Sequence, residues 1–208
     1  WTVTAWGDAR PGRAHVQACA VATASSAAII EAPMASSVQT ALDRFLKAEH
    51  FRTIVHGYKE LLHLLSAAGL GMALPMFDTK LGGYLAQPDF HADNLNQAAE
   101  HFLDIHVVDA EQPAQGVLDF GDEHTEEDLN ERRVHDLAVI RELAVTLGPV
   151  IDERRQYWLM RAIELPVSRV LHGMEQSGAK IDRSRLTDMR DRFATDARQA
   201  QEMAWQYA

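Results

Sequence analysis

The sequence predicts a mixed α/β domain with a five-stranded sheet flanked by helices, followed by a helical C-terminal extension. Three strand-like segments open the chain, and short apolar runs then alternate with helical stripes. From residue 131 onward the apolar residues follow a helical period almost without interruption.

The opening segments are rich in Val, Thr and Trp or in small apolar residues, and glycine and proline separate them. Their short connections favour an antiparallel meander. The three strands are predicted over Trp1–Trp6, His15–Thr23 and Ala27–Glu31. Residues 36–39 (Ser-Ser-Val-Gln) fit a capping box and predict a helix that ends near Glu49.

The middle of the chain has a strand–helix–strand–helix rhythm, which requires crossover connections and parallel strands. The predicted elements are a strand over Phe51–Val55, a helix over Tyr58–Ala68, a strand over Met72–Phe77, and helices over Thr79–Ala86 and Asp93–Leu103.

The last part is predicted to be helical. One helix over residues 132–147 should stop at Gly148-Pro149, because proline cannot continue a helix. A second helix over residues 150–174 should be bent or interrupted at Pro166. After a break at Ser177-Gly178, Asp182 or Ser184 is expected to cap a final helix.

Composition indicates a soluble, acidic protein of the cytoplasm. The net charge of −10 argues against a free-standing nucleic-acid clamp, although a domain of a larger DNA enzyme remains compatible. The single cysteine, Cys19, excludes an internal disulfide and is expected to be an inert core thiol. The apolar runs are too short to span a membrane.

Generic catalytic patterns give little support for a specific chemistry. No two of the ten histidines are spaced i,i+4, and no Rossmann turn, P-loop or nucleophile elbow is present. Residues 119–131 hold seven acids and no Lys or Arg, but they lack the spacing of a calcium loop. We interpret this acidic segment as a solvated loop or helix entrance.

Three stretches carry a family resemblance, and they occur in the family's order. Residues 77–88 (FDTKLGGYLAQP) resemble the F-D-T-x-L-x-x-Y-L segment of the exonuclease domain in bacterial family A DNA polymerases. The helix at 94–103 (NLNQAAEHFL) is similar to that family's next element. Residues 163–182 (IELPVSRVLHGMEQSGAKID) resemble the junction where the polymerase domain begins.

The resemblance implies two domains, an RNase H-like 3′–5′ exonuclease domain over residues 1–150 and the start of the polymerase domain over residues 151–208. In such an exonuclease domain, carboxylates hold two divalent ions for hydrolysis. This chain departs from the family's metal-binding pattern. The first strand lacks the Asp-x-Glu pair, Leu61 stands at the position of an Asp, and Arg132 replaces the tyrosine that precedes the surviving Asp136. We therefore expect no catalytic residue here, with Leu61, Arg132 and Asp136 as vestigial positions and Asp136 as a surface or helix-pairing residue.

The resulting prediction is a fragment of a DNA polymerase that is itself without exonuclease or polymerase activity. No cofactor or metal is expected in it, Mg²⁺ belongs to the polymerase site of the parent protein, and a 5′-nuclease domain could precede it. DNA is the expected partner through the parent, with weak or no binding by the fragment. The parent is expected to be a monomeric, nucleoid-associated protein of the cytoplasm.

Two alternatives stay open at this point. The domain could be a working exonuclease whose ligands are not recognised, or a protein-interaction module that uses the acidic segment.

Overall fold

The computed structural model describes residues 1–105 and 126–206, and these include a mixed five-stranded sheet. The strands are β1 (Thr2–Asp8), β2 (His15–Ala22), β3 (Ala27–Glu31), β4 (Ile54–Val55) and β5 (Phe77–Asp78). Their order is β3-β2-β1-β4-β5. The β1, β2 and β3 strands are antiparallel neighbours, whereas β4 and β5 run parallel to β1. The predicted mixed sheet is thus confirmed.

The two parallel strands are shorter than predicted, with two residues each. Pro75 lies inside the predicted Met72–Phe77 strand, and a proline cannot donate to a strand ladder. Regular pairing therefore begins only after it, where the amides of Met76 and Phe77 both approach the carbonyl of Thr53, at 2.7 and 3.4 Å.

Five helices follow or separate the strands in the described residues up to 153. They are α1 (Ser36–Lys47), α2 (Tyr58–Ala67), α3 (Thr79–Ala86), α4 (Leu95–Leu103) and α5 (Glu126–Glu153). One apolar core joins sheet and helices, with Val3, Val55, Leu65 and Leu143 among its buried members. Cys19 belongs to this core, and burial raises the pKa of its thiol to about 11, as expected for an inert cysteine.

The acidic segment lies partly outside the described residues, which resume at residue 126. Its remaining part, residues 126–131, forms the exposed first turns of α5. Acidic side chains at a helix N-terminus interact favourably with the helix dipole.

The predicted capping box at the start of α1 is wrong. Ala35 is the N-cap residue, and no side chain caps this helix. Gln39 instead donates its side-chain amide to the carbonyl of Ala68 at 2.6 Å, just after the end of α2. The side chain of Gln39, which would have completed the local capping box, therefore makes a tertiary contact instead.

The predicted stop at Gly148-Pro149 is also wrong, since α5 continues to Glu153. Leu143, Leu147 and Ile151 are buried along one face of the helix on both sides of the proline. Pro149 removes the one hydrogen bond that the carbonyl of Val145 would accept, and Val145 is on the exposed side of α5. Packing on the buried face therefore outweighs the local break.

The helix predicted over residues 150–174 is divided. After Arg155, at a φ of 57°, the chain forms α6 (Tyr157–Leu159), a π-helical turn (Met160–Glu164) and α7 (Leu165–Ser177). The Leu165 amide donates to the carbonyl of Met160, five residues back. Because Pro166 has no amide proton and its ring crowds the preceding turn, a widened turn accommodates it.

The chain divides into two compact units, Trp1–Gln176 and Ser177–Ala208. The predicted domain boundary at residue 150 was drawn from the resemblance and stays a prediction. In the second unit, α8 (Arg183–Gln206) begins at Asp182, whose Oδ1 accepts the amides of Ser184 and Arg185 at 3.0 and 3.2 Å. Asp182 is therefore the cap. Across the described residues, no helix is long and apolar enough to cross a membrane.

Candidate metal centre

Asp136 is held by a side chain of the first strand. The Nε1–H of Trp6 on β1 donates to Asp136 Oδ2 at 2.8 Å, and the carboxylate on α5 is half-buried. Burial raises the pKa of Asp136, while the indole hydrogen bond opposes that rise. An indole N–H is only a donor and cannot bind a cation. The carboxylate of Asp136 thus connects β1 with α5.

The positively charged side chain of Arg133 also lies beside the Trp6 ring. The guanidinium of Arg133 is 5.4 Å from the centre of the Trp6 ring and forms an ion pair with Glu31 on β3. We call Trp6, Asp136, Arg133 and Glu31 the Trp6 cluster. It connects β1, β3 and α5. The fixed positive charge of Arg133 next to Trp6 is unfavourable for a divalent cation at this place.

The other positions predicted to be vestigial, Leu61 and Arg132, do not join this cluster. Leu61 is 4% exposed and is part of the apolar core, and Arg132 is exposed on α5. The first strand extends past the predicted end at Trp6 and includes Asp8. Hydrogen bonds from Arg10 hold the pKa of Asp8 well below its usual range. Asp8 is therefore engaged in a local ion pair.

The described residues do not fit the two-metal site that the resemblance implies. Two divalent ions require several oxygen ligands at one place. Within residues 1–105 and 126–206, no three His, Cys, Asp or Glu side chains are grouped so that they could hold a metal ion. The expected lack of exonuclease activity stays a prediction, because it concerns the function of the parent enzyme.

Asp78 belongs to the motif that carries the resemblance, and it fixes the starts of two helices. Its Oδ1 accepts the amides of Gly57 and Lys80, both at 2.9 Å, and its Oδ2 accepts that of Tyr58 at 2.7 Å. The carboxylate thereby caps α3 and binds the first amides of α2. Burial raises the pKa of Asp78, and the three backbone donors act in the opposite direction.

We call Asp78 with these three amides the Asp78 hub. Gly57 adopts a φ of 71°, a left-handed conformation that disfavours residues with a Cβ. Sequence reasoning missed this role. The available signal was an Asp immediately before a predicted helix start, which is typical of an N-cap.

His56 lies beside the Asp78 hub with one ring nitrogen paired. Its Nδ1 is 2.8 Å from the Thr79 hydroxyl, which itself donates to the carbonyl of Val55 at 3.3 Å. The Thr79 hydroxyl therefore connects the His56 ring to the Val55 carbonyl. The buried Nε2 has no hydrogen-bond partner among the described residues. Burial lowers the pKa of His56 to about 4, which keeps the ring neutral.

Glu175 joins α7 to α2. Its Oε1 accepts from Lys59 Nζ at 2.6 Å, and its Oε2 lies 2.6 Å from Nε2 of the buried His63. Lys59 and His63 are one turn apart on α2 and share a face. Hydrogen bonds from Lys59 and His63 lower the pKa of Glu175. The two oxygens of one carboxylate therefore bind two successive turns of α2.

Arg169 provides a second connection from α7. Its Nη2 donates to the hydroxyl of the fully buried Tyr58 at 2.7 Å and to the Met72 carbonyl at 2.8 Å. Arg161, in the π-helical turn, donates to the carbonyl of Pro75. These arginines satisfy carbonyls of the segment where the predicted strand does not form. Glu175 and Arg169 stood in the resembling stretch 163–182, but nothing in the sequence alone indicated their partners.

Comparison with curated proteins finds relatives that are named DNA polymerase I. No family model matches it. It is 27% identical over 195 residues to DNA polymerase I of Mycobacterium bovis, covering 93% of this chain and 22% of that protein. It is also 27% identical over 196 residues to DNA polymerase I of Mycobacterium leprae, covering 93% of this chain and 21% of that protein. DNA polymerase I of Bacillus subtilis is 25% identical over 126 residues, which are 61% of this chain and 14% of that protein.

A solved structure shares the fold. It is the POL domain of Pol1 from M. smegmatis in complex with DNA primer-template and dNTP, with a TM-score of 0.74 and 22% identity. The match covers 98% of this chain and 33% of that chain. The present chain thus spans about a fifth of the length of its mycobacterial relatives. These relatives agree with the polymerase resemblance of the three sequence stretches.

Proposed function

We propose that this chain is a segment of a bacterial DNA polymerase I and that its exonuclease-like part has become structural. Residues 1–150 would form the 3′–5′ exonuclease-like domain, of RNase H-like fold, and residues 151–208 would begin the polymerase domain. The relatives named DNA polymerase I and the order of the three resembling stretches support this assignment.

The Trp6 cluster is the observation that carries the proposed loss of exonuclease chemistry. A metal-dependent exonuclease needs several carboxylates directed at one place. Here the one remaining carboxylate accepts an indole proton, and a guanidinium lies over that indole. Leu61 contributes an apolar side chain to the core. These residues offer no set of oxygen ligands for hydrolysis.

The retained role would be to support the entry to the polymerase domain. Glu175 and Arg169 on α7 bind buried groups of α2, namely His63 and Tyr58. Buried, hydrogen-bonded side chains of this kind fix the direction of a helix more firmly than exposed ion pairs do. The exonuclease-like domain would thus hold α7 at a defined angle.

The parent enzyme would extend DNA primers, with Mg²⁺ in its polymerase site. It would work as a monomer in the cytoplasm, associated with the nucleoid. Because this segment carries a net charge of −10, the parent would bind DNA mainly through basic surfaces outside it.

A primer-degradation assay on the full-length parent enzyme tests the proposal. A primer with a mismatched 3′ end is incubated with Mg²⁺ or Mn²⁺ and without nucleotides, and its length is followed over time. We expect the primer to keep its length, while a matched primer with nucleotides is extended. Progressive shortening that Asp136→Ala abolishes would show that the exonuclease is active.

Soaking crystals of the enzyme with Mn²⁺ gives an independent test. A working exonuclease would bind two ions about 4 Å apart near Asp136. We expect no ion to be bound there, because the Trp6 indole donates to that carboxylate.

A further inference from the structure

A group of aromatic rings lies at the surface where the first strand begins. The Trp1 ring meets the rings of Phe45 and Phe51 edge-on, with centroid distances of 5.1 and 6.0 Å. The two phenylalanine rings are 4.5 Å apart, and the His50 ring lies 4.1 Å from that of Phe51. Trp1 is 45% exposed, and His50 is exposed as well. We call Trp1, Phe45, His50 and Phe51 the Trp1 patch.

The exposed indole of the Trp1 patch is held by both its ring and its backbone. Phe45, against which the ring lies, packs on the apolar core. The Trp1 carbonyl accepts the amide of Ile54 on β4 at 2.7 Å. A ring that is already fixed loses little conformational freedom when a ligand binds. The patch is therefore suited to stacking with a flat partner, because aromatic rings stack favourably when they are offset.

Three arginines border the Trp1 patch without an ion pair. Arg44 and Arg52 flank the segment 45–51, and both are exposed. Burial, followed by the charge of Arg141 on α5, lowers the pKa of the Trp1 amine, so this third guanidinium lies near the patch. No carboxylate of the described residues forms an ion pair with any of the three. Their positive charges are therefore available to a ligand.

The charge beside the Trp1 patch has the opposite sign to that of the whole chain, which is −10. Within residues 44–52, Lys47 is paired with Asp43 at 2.7 Å, and Glu49 is the one acid. At physiological salt, exposed charges more than about 8 Å apart are largely screened from one another. An anion at the patch is therefore affected mainly by the three arginines, and little by the distant acids.

We propose that the Trp1 patch and its three arginines form an auxiliary docking surface for single-stranded DNA. Bases would stack on the exposed rings, and the guanidinium groups would contact the phosphates. Exposed aromatic rings among unpaired cations are the combination that binds single strands without regard to sequence. An acidic polypeptide is a poorer occupant, because it could pair with the arginines but has no bases to stack. This inference rests on the proposed function, since a polymerase that copies a template works beside a single strand.

Oligonucleotide binding by the 208-residue chain tests this surface. Fluorescein-labelled oligo(dT) of about 16 nucleotides is titrated with the protein at low salt, and its fluorescence anisotropy gives the affinity. We expect Trp1→Ala to weaken binding at least about fivefold, the lower limit for the loss of one stacked base. Trp158→Ala is the matched control and should leave the affinity unchanged, because Trp158 is 68% exposed on α6, outside the patch.

The salt dependence of the same titration measures the phosphate contacts. Each neutralised phosphate of a single strand contributes about −0.7 to the slope of log K against log salt concentration, so three arginines predict a slope of about −2. Arg52→Ala should make this slope shallower by about 0.7. Arg13→Ala is the matched control, because Arg13 is exposed and unpaired beyond the opposite end of β1.

Two competitors decide whether bases are recognised. An abasic strand of the same length carries the phosphates without bases, and polyglutamate carries negative charge on a polypeptide. We expect both to bind at least about fivefold more weakly than oligo(dT). Equal binding of either competitor, or an unchanged affinity of Trp1→Ala, would overturn the docking surface.

Photocross-linking of the full-length parent enzyme carries the test into the whole protein. A primer–template whose single-stranded template carries 5-iododeoxyuridine is bound and irradiated, and adducts are mapped by mass spectrometry. We expect adducts on Trp1 or within residues 45–51, and their absence would also overturn the docking surface. Primer extension separates the two proposals. A parent that extends primers without these adducts contradicts the docking surface alone, whereas a parent that does not extend primers contradicts the proposed function.

Discussion

The Asp78 hub and the Trp6 cluster each contain a carboxylate inside the same compact unit, but different groups surround the two. Asp78 accepts three backbone amides at the starts of two helices, whereas Asp136 accepts one side-chain donor that is 130 residues away. Backbone donors are present whatever the neighbouring side chains are, so the first arrangement belongs to the fold itself. The second depends on a specific pair and can be lost by one substitution.

Asp78→Ala should produce the largest loss of stability. It would leave three amides without their acceptor in a buried place, and each unsatisfied buried group costs roughly 1–3 kcal/mol. We expect the free energy of unfolding to fall by about 3 kcal/mol or more, measured by urea denaturation of the 208-residue chain. The exposed Asp89→Ala is the matched control. A similar small effect of both variants would show that the hub is unimportant.

The second-largest effect should be a loss of stability at low pH, caused by His56 beside the Asp78 hub. The pKa of His56 is lowered to about 4 in the folded protein, against about 6.5 when unfolded. The unfolded state therefore binds the proton first, so stability is complete above pH 6.5 and falls as the pH drops towards 4. We expect a loss of roughly 2 kcal/mol between pH 7.5 and 4.5.

His56→Asn is the control for this pH dependence. Its side-chain amide can still donate to Thr79 but does not titrate. Urea denaturation at a series of pH values should give a flatter profile for this variant. An unchanged profile would assign the acid sensitivity to other groups.

Trp6→Phe should have a smaller effect, because it removes one donor and keeps an aromatic ring for Arg133. We expect a loss of about 1.5 kcal/mol, the lower end of the usual range for a hydrogen bond to a charged group. A double-mutant cycle with Asp136→Asn measures the interaction. Strictly additive losses would mean that Trp6 and Asp136 do not interact.

Glu175→Gln should have the smallest effect of the four. The carboxylate and Lys59 are both partly solvated, and such ion pairs contribute less than about 1 kcal/mol. The lowered pKa of Glu175 means that its contribution is present above the unfolded pKa and is lost as the pH falls through the folded one. Thermal unfolding at pH 7 and pH 3 checks this, and the difference between wild type and variant should be smaller at pH 3 than at pH 7.

The sheet was predictable because strand composition and helical periodicity are local signals. The ends of the helices and strands were less predictable from the sequence. The Gly148-Pro149 pair has a strong local tendency to end a helix, yet Leu147 and Ile151 keep α5 intact by burial. Likewise, Gln39 could cap α1 locally but binds a carbonyl after α2. In both cases a contact between distant segments outweighed a preference of about 1–3 kcal/mol.

For the candidate site, the sequence was sufficient only where a side chain that could bind a metal is absent. The sequence alone shows that Leu61 cannot bind a metal, and the absence of further carboxylates around Asp136 was predicted only through the family resemblance. It could not show that Trp6 is the partner of Asp136, because an indole donor and a carboxylate 130 positions apart leave no local pattern. For the same reason the contacts of Glu175 with α2 emerge only from the fold.

The π-helical turn at Met160–Glu164 takes up one residue more than an α-helical turn would hold, so α7 keeps its rotational phase despite that extra residue. An α-helix turns by about 100° per residue, so an extra residue that the wide turn did not absorb would rotate the whole of α7 by that angle. Arg169 and Glu175 would then turn away from α2, and exposed apolar side chains of α7 such as Val170 would turn towards it. The wide turn thus keeps the polar contacts of α7 in register with their partners on α2.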